Sequence, residues 1–143
     1  MRISTRSRYG LKVMYELALK YGGEPVFLKE IARTHHISGK YLSKLVIPLR
    51  GVGLITSHRG AHGGYTLARA PGTVSVMEIV QVLEGTFAPA ARTRGARGSD
   101  GNEEHPTEEV WVILERAIAK TLGAITLESL VQSGRSQVLN YQI

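Results

Sequence analysis

The chain has 143 residues, 43% of them hydrophobic and 21% charged, and it contains no cysteine. That supplies one domain-sized core and argues against wholesale disorder. Disulfides, thiolate metal sites and cysteine nucleophiles are excluded, and no apolar run approaches the roughly 18 residues of a membrane span.

The Arg/Ser-rich opening MRISTRSRYG runs into an amphipathic helix without a small-residue cleavage site. It reads as mature, cytoplasmic protein rather than a targeting segment. The net charge of +6 is unevenly spread: residues 1–70 carry twelve Lys/Arg against Glu16, Glu24 and Glu30, a net of +9. Residues 71–143 carry six basic and nine acidic side chains, a net of −3. The first half attracts a polyanion. Nucleic acid, an anionic membrane surface and an acidic protein all fit that charge, so the architecture must choose among them.

In chain order, residues 8–21 place Leu11, Met14, Tyr15, Ala18 and Leu19 on one helical stripe, closed by Gly22-Gly23 and Pro25. A short helix fits 28–35, with Leu28, Ile31 and Ala32 inward. Ser38 reads as the N-cap of a third helix over 39–50, whose inner side is Leu42, Leu45, Val46 and Leu49, with Pro48 placed to kink it. Two β-prone runs, 54–58 and 65–68, flank the glycine-rich tip Arg59–Gly64 and predict a hairpin. A helix over 75–84 turns Val76, Ile79, Val80 and Leu83 inward. Residues 86–106 lose all periodicity and form one long irregular loop. Thr107 then opens a helix to about 122, with Val110, Trp111, Ile113, Leu114, Ala117, Ile118 and Leu122 on a stripe too wide for one partner. A short helix near 127–132 and a polar tail complete the chain.

This order predicts a mainly α fold: a winged helix-turn-helix with a two-stranded β-wing and a long C-terminal dimerisation helix. Residues 1–85 are the expected DNA-binding domain, 86–106 a regulatory loop, and 107–143 the dimerisation helix and tail. In this architecture the second helix of the helix-turn-helix enters the major groove N-terminus first. The residues so placed are Ser38, Gly39, Lys40, Tyr41, Ser43 and Lys44, although Tyr41 also suits a packed flank. Arg59, on a slim glycine-lined tip, suits a narrow minor groove. Arg2, Ser4, Thr5, Arg6 and Arg8 are placed for phosphate contacts. Arg50 and His62 complete the candidate DNA-binding set, and Lys20, Lys29 and Arg69 read as solvated charge.

Competing chemistry is thin. Gly39-Lys40 lacks the earlier glycine and the following Ser/Thr of a phosphate loop. His35 and His36 point apart and have no carboxylate at ligand spacing. His58 and His62 could face one another across the hairpin, but a DNA-facing role suits them better. No nucleophile–base pair stands out, so an enzyme is not expected.

The stretches Met1–Thr5, Arg8–Leu11, Leu28–Ala32, Ile37-Ser38, Tyr41-Leu42, Pro48–Arg50, Gly53-Leu54, Arg59-Gly60, Gly63–Tyr65, Leu83–Gly85 and Ile125–Leu127 resemble, in order, the Rrf2 family of winged-helix transcription regulators. The resemblance implies a homodimer held by the long helix (Val110, Trp111, Leu114, Ile118, Leu122) on a pseudo-palindromic double-stranded DNA operator. It also implies DNA contacts from the third helix and the wing arginine. Many members hold an iron–sulfur cluster through three loop cysteines. The matching positions here fall near Ala91, Ser99 and His105, none a cysteine, so no cofactor is expected in this chain. A cluster-free branch represses cysteine metabolism and docks on cysteine synthase through its C-terminal tail, here Tyr141 to Ile143. A terminal carboxylate held by backbone amides, with isoleucine in an apolar pocket, would suit such docking. The expected function is a repressor of sulfur or cysteine metabolism or of iron–sulfur cluster genes. The alternative is an interaction module that binds a metabolic enzyme through that tail.

Overall fold

The structure is a computed structural model that describes residues 3–85 and 105–141. Helix α1 spans Thr5–Leu19 and begins at Ser4, whose side chain accepts from the Ser7 amide at 3.3 Å. The cap lies upstream of the first apolar stripe, so periodicity alone starts the helix too late. The buried face also differs from the sequence reading. Ser7, Gly10, Val13, Met14, Leu17 and Ala18 are buried, Leu11 and Tyr15 only half so, and Leu19 is exposed. Apolar residues at seven of the nine positions 11–19 permit more than one stripe. The choice is made by α4, which approaches so closely that a side chain at residue 10 would run into Leu83.

Helix α2, Leu28–His35, ends in a left-handed His36 (φ 54°). His35 Nε2 ties it to the Glu16 carboxylate on α1 at 2.8 Å. Helix α3, Gly39–Gly51, starts at Ser38 and buries the expected Leu42, Leu45, Val46 and Leu49. It continues through Pro48, which cannot donate to the Lys44 carbonyl, and the Val52 amide bonds to the Pro48 carbonyl at 3.2 Å.

Strands β1 (Ile55–His58) and β2 (Gly64–Leu67) pair antiparallel, Ile55 opposite Leu67 and His58 opposite Gly64. Val26 adds a bridge to the hairpin: its amide donates to the Tyr65 carbonyl at 2.9 Å and the Tyr65 amide returns the bond at 2.8 Å. A 3-10 turn at Pro71–Thr73 leads to α4, Val76–Glu84, opened by a capping box between Ser75 and Glu78. Helix α5 spans Pro106–Gly123 and α6 Leu127–Tyr141. The molecule is a mainly helical winged helix-turn-helix.

Three expectations need correction. His105, not Thr107, caps α5, its Nδ1 accepting from the Thr107 amide at 3.4 Å. The final helix runs well past 132. Thr126 and Ser129 cap its start reciprocally, at 3.0 and 3.1 Å, and Leu127 and Val131 enter the same core as α1, α3 and α4. Its following turns look polar in the sequence, and Gly134 among them meets the Tyr15 hydroxyl of α1. Arg69 is not a free surface charge. Its Nη1 and Nη2 reach both Glu78 oxygens at 3.1 Å, and Nη2 also bonds to the Thr73 carbonyl. The turn at 71–73 creates that pairing, and no local pattern announces it. The loop positions Ala91 and Ser99, Arg2 at the start and Ile143 at the end lie outside the described residues.

A carboxylate clasp fixes the start of α1. Glu84 Oε1 accepts from the Ser4 amide (2.8 Å), Ser4 Oγ (2.5 Å) and Ser7 Oγ (2.6 Å), which holds the Glu84 pKa below its ordinary 4.5. A carboxyl that titrates lower in the folded state stabilises fully above the unfolded value and loses that contribution as pH falls through the folded one. Glu84→Gln is expected to cost about 1 kcal/mol at pH 7, with charge-assisted bonds weakened rather than deleted. It should also shrink the stability difference between neutral pH and pH values below about 4. Urea unfolding at the two pH values checks this, and an unchanged difference would remove the clasp.

Candidate nucleic-acid interface

The first two turns of α3 present Gly39, Lys40, Ser43 and Lys44 to solvent, with Arg50 exposed in its last turn. A helix N-terminus carries unpaired amides and partial positive charge. Lys40 and Lys44, one turn apart, add two full charges on the same side. Ser38 Oγ accepts from the Tyr41 amide at 3.3 Å, which leaves its O–H and one further lone pair for an outside group. Ser43 is more restricted. Its hydroxyl donates to the Gly39 carbonyl at 2.9 Å, so it can only accept.

Tyr41 takes the packed-flank position, half-buried with its ring edge-on to Tyr9 at 5.8 Å. That contact sets the start of α1 against the start of α3. The exposed Thr5, Arg6 and Arg8 thus belong to the same end of α1 as the Tyr9 contact. Lys12 joins them, its ammonium 5.7 Å from the Tyr9 ring centroid. The sequence reading missed Lys12, although its place one turn after Arg8 was a visible signal. Ser4 does not belong to this set, because both its amide and its hydroxyl are committed to Glu84.

In the wing, Arg59 and His62 are exposed in the connection between β1 and β2, which the Gly63 amide closes on the Gly60 carbonyl at 3.0 Å. His58 does not face His62. Its Nε2 bonds to Thr66 Oγ1 across the strands at 2.9 Å, because the register brings residues 58 and 66 to one face.

Residues 3–133 match the Rrf2 family, described as an iron-dependent transcriptional regulator. The chain belongs to the Rrf2 family. It is 42% identical over 130 residues to the HTH-type transcriptional regulator CymR of Bacillus subtilis, covering 91% of this chain and 89% of that one. To the HTH-type regulator IscR of Xenorhabdus nematophila it is 35% identical over 133 residues, 93% of this chain and 80% of that one. Among solved structures, CymR, the global cysteine regulator of B. subtilis, superposes with a TM-score of 0.79 at 41% identity, covering 93% of this chain and 98% of that one. IscR of T. potens gives 0.79 at 35% identity, covering 94% and 88%. This Rrf2 protein is therefore a transcriptional regulator and not an enzyme.

A thiolate-held iron–sulfur cluster does not fit the residues present. The chain has no cysteine, such clusters demand soft thiolate donors, and the His105 Nδ1 already meets Thr107 Oγ1 at 2.7 Å. Among the described residues no three His, Asp or Glu side chains converge as a metal group.

Helix α5 of the Rrf2 chain buries none of its residues. The structure divides the expected dimerisation set. Leu114, Ile118 and Leu122 are half-covered, on a helix that packs against α4. Val110 is 56% exposed, and with Ile113 (58%) and the exposed Ala117 it forms an i, i+3, i+7 stripe. Trp111, 41% exposed, sits at the edge of that stripe.

Proposed function

We propose that this Rrf2 regulator is a homodimeric, sequence-specific repressor of the bacterial cytoplasm that acts on genes of cysteine or sulfur metabolism. The observation that carries the reading is the Tyr9–Tyr41 contact, which joins the end of α1 that bears Arg8 and Lys12 to the end of α3 that bears Lys40 and Lys44, together with the exposed Arg59 on a short wing. Lys40, Ser43 and Lys44 meet base edges in the major groove, where Ser43, limited to accepting, suits an amino group of cytosine or adenine. Thr5, Arg8, Lys12 and Arg50 hold phosphates, and Arg59 with His62 reaches the flanking minor groove. The α5 stripe joins two protomers so that two α3 helices lie about 34 Å apart on a pseudo-palindromic site. The cysteine assignment is favoured over iron–sulfur genes by the likeness to CymR and by the lack of cluster ligands.

Purified protein incubated with fragmented genomic DNA tests the reading. It should retain a palindrome upstream of sulfur or cysteine genes. Retention of sites upstream of cluster-assembly genes would overturn the gene assignment, and no enrichment at moderate salt would overturn the DNA-binding reading. On the recovered operator, Arg59→Ala should weaken binding by roughly 10- to 100-fold, the range of a lost specific groove contact, and flatten sequence preference. Titration against operator and scrambled duplexes measures both, and unchanged operator affinity would remove Arg59 from the interface.

A further inference from the structure

The outward face of α3 is not wholly polar. Its core side is set by Leu42, Leu45, Val46 and Leu49. At 100° per residue the opposite stripe is Lys40, Lys44 and Ile47. Ile47 is 60% exposed, more than any other large hydrophobic side chain among the described residues. A branched aliphatic group gains nothing from water, and its own fold leaves it bare. It stands in line with two lysines that attract a polyanion to this face. The chief apolar feature that major-groove base edges offer is the C5-methyl group of thymine.

We propose that Ile47 is a specificity-determining residue that packs against a thymine methyl in each half-site, a step that rests on the reading of α3 as the base-reading helix. Ile47 lies about 4.5 Å along the axis beyond Lys44 and about 10.5 Å beyond Lys40. At 3.4 Å per base-pair step, Lys40 and Ile47 are separated by roughly three steps. Lysines at the start of the stripe position and read the groove, and Ile47 selects T·A further along it.

The test uses the operator recovered from genomic DNA, with each thymine and its symmetry mate replaced in turn by deoxyuridine. That exchange deletes the methyl and keeps every hydrogen-bonding group. Wild-type protein should show one thymine per half-site whose replacement weakens binding roughly four-fold, or about fifteen-fold for the symmetric pair, the worth of one buried carbon per site. Ile47→Ala, which folds normally because the side chain is exposed, should bind the thymine and deoxyuridine duplexes alike at that position. A wild-type protein indifferent to every replacement, or an Ile47→Ala variant that keeps the sensitivity, would overturn the assignment. Lys40→Ala separates the two levels. If it weakens binding while uracil does not, α3 still reads DNA and only the role of Ile47 falls; if it leaves binding unchanged, the reading of α3 falls with it.

Discussion

Ile113→Asp is expected to convert the proposed homodimer into a 15.6 kDa monomer and to reduce operator affinity by about a hundred-fold or more. In one protomer Ile113 is 58% exposed, on a helix with no buried residue, so the substitution leaves the winged domain's own core untouched. Within a paired α5 the aspartate would place an unpartnered carboxylate among Val110, Ala117 and their symmetry mates, which costs several kcal/mol unless the pair separates. Separation removes the tether that makes the second half-site contact intramolecular. The loss is then the effective concentration that the proposed dimer would supply, about 10²- to 10⁴-fold. Sedimentation at micromolar concentration, far-ultraviolet circular dichroism and operator titration measure the three parts. A variant that sediments as the wild type and binds within two-fold of it would move the dimer contact away from this stripe. Residual low-salt binding to nonspecific DNA should persist, because the proposed phosphate contacts would belong to each protomer separately.

The features legible in the sequence are those set by neighbours along the chain. Ser38 before an apolar run gives α3 its start, and the 3.6-residue spacing of Leu42, Leu45 and Leu49 gives its buried side. The glycine-rich tip between two β-prone runs gives the wing, and Arg59 is visible as its single fixed positive charge. What stayed hidden needs partners distant in sequence. Ser4 looks free for phosphate until Glu84, 80 positions away, accepts from both its amide and its hydroxyl. Arg69 looks solvated until the 71–73 turn delivers it to Glu78. The later turns of α6 carry too few apolar residues to signal a helix, and the approach of Gly134 to the Tyr15 hydroxyl of α1 has no local pattern to announce it. Ile47 escaped for a different reason. An apolar residue inside a helix reads as core, and only a settled inward face shows that it points the other way.

The wing carries such a hidden contact beside the proposed Arg59 site, and Gly64→Ala is expected to cost about 2–4 kcal/mol of stability and most specific DNA binding. Gly64 has φ +128°, where L side chains are strained, and a Cβ there would stand 2.6 Å from the Val26 carbonyl oxygen and 2.7 Å from its carbon. Those are backbone atoms of the bridge that fastens the hairpin to the loop before α2, so no side-chain rotation relieves the clash. Alanine must break the two Val26–Tyr65 bonds, worth roughly 1 kcal/mol each, or twist φ at the root of β2. Either response re-aims the tip that carries Arg59. Gly60→Ala is the matched comparison: its φ is also positive, at +102°, but nothing lies within 4 Å of the added carbon. Strain alone then applies, roughly 1 kcal/mol. Urea unfolding and operator titration of the two variants separate backbone strain from loss of the bridge. Equal losses in both would mean that the bridge does not hold the wing in place, whereas a larger loss of stability and binding in Gly64→Ala makes the Val26 contact the part of the fold that aims Arg59.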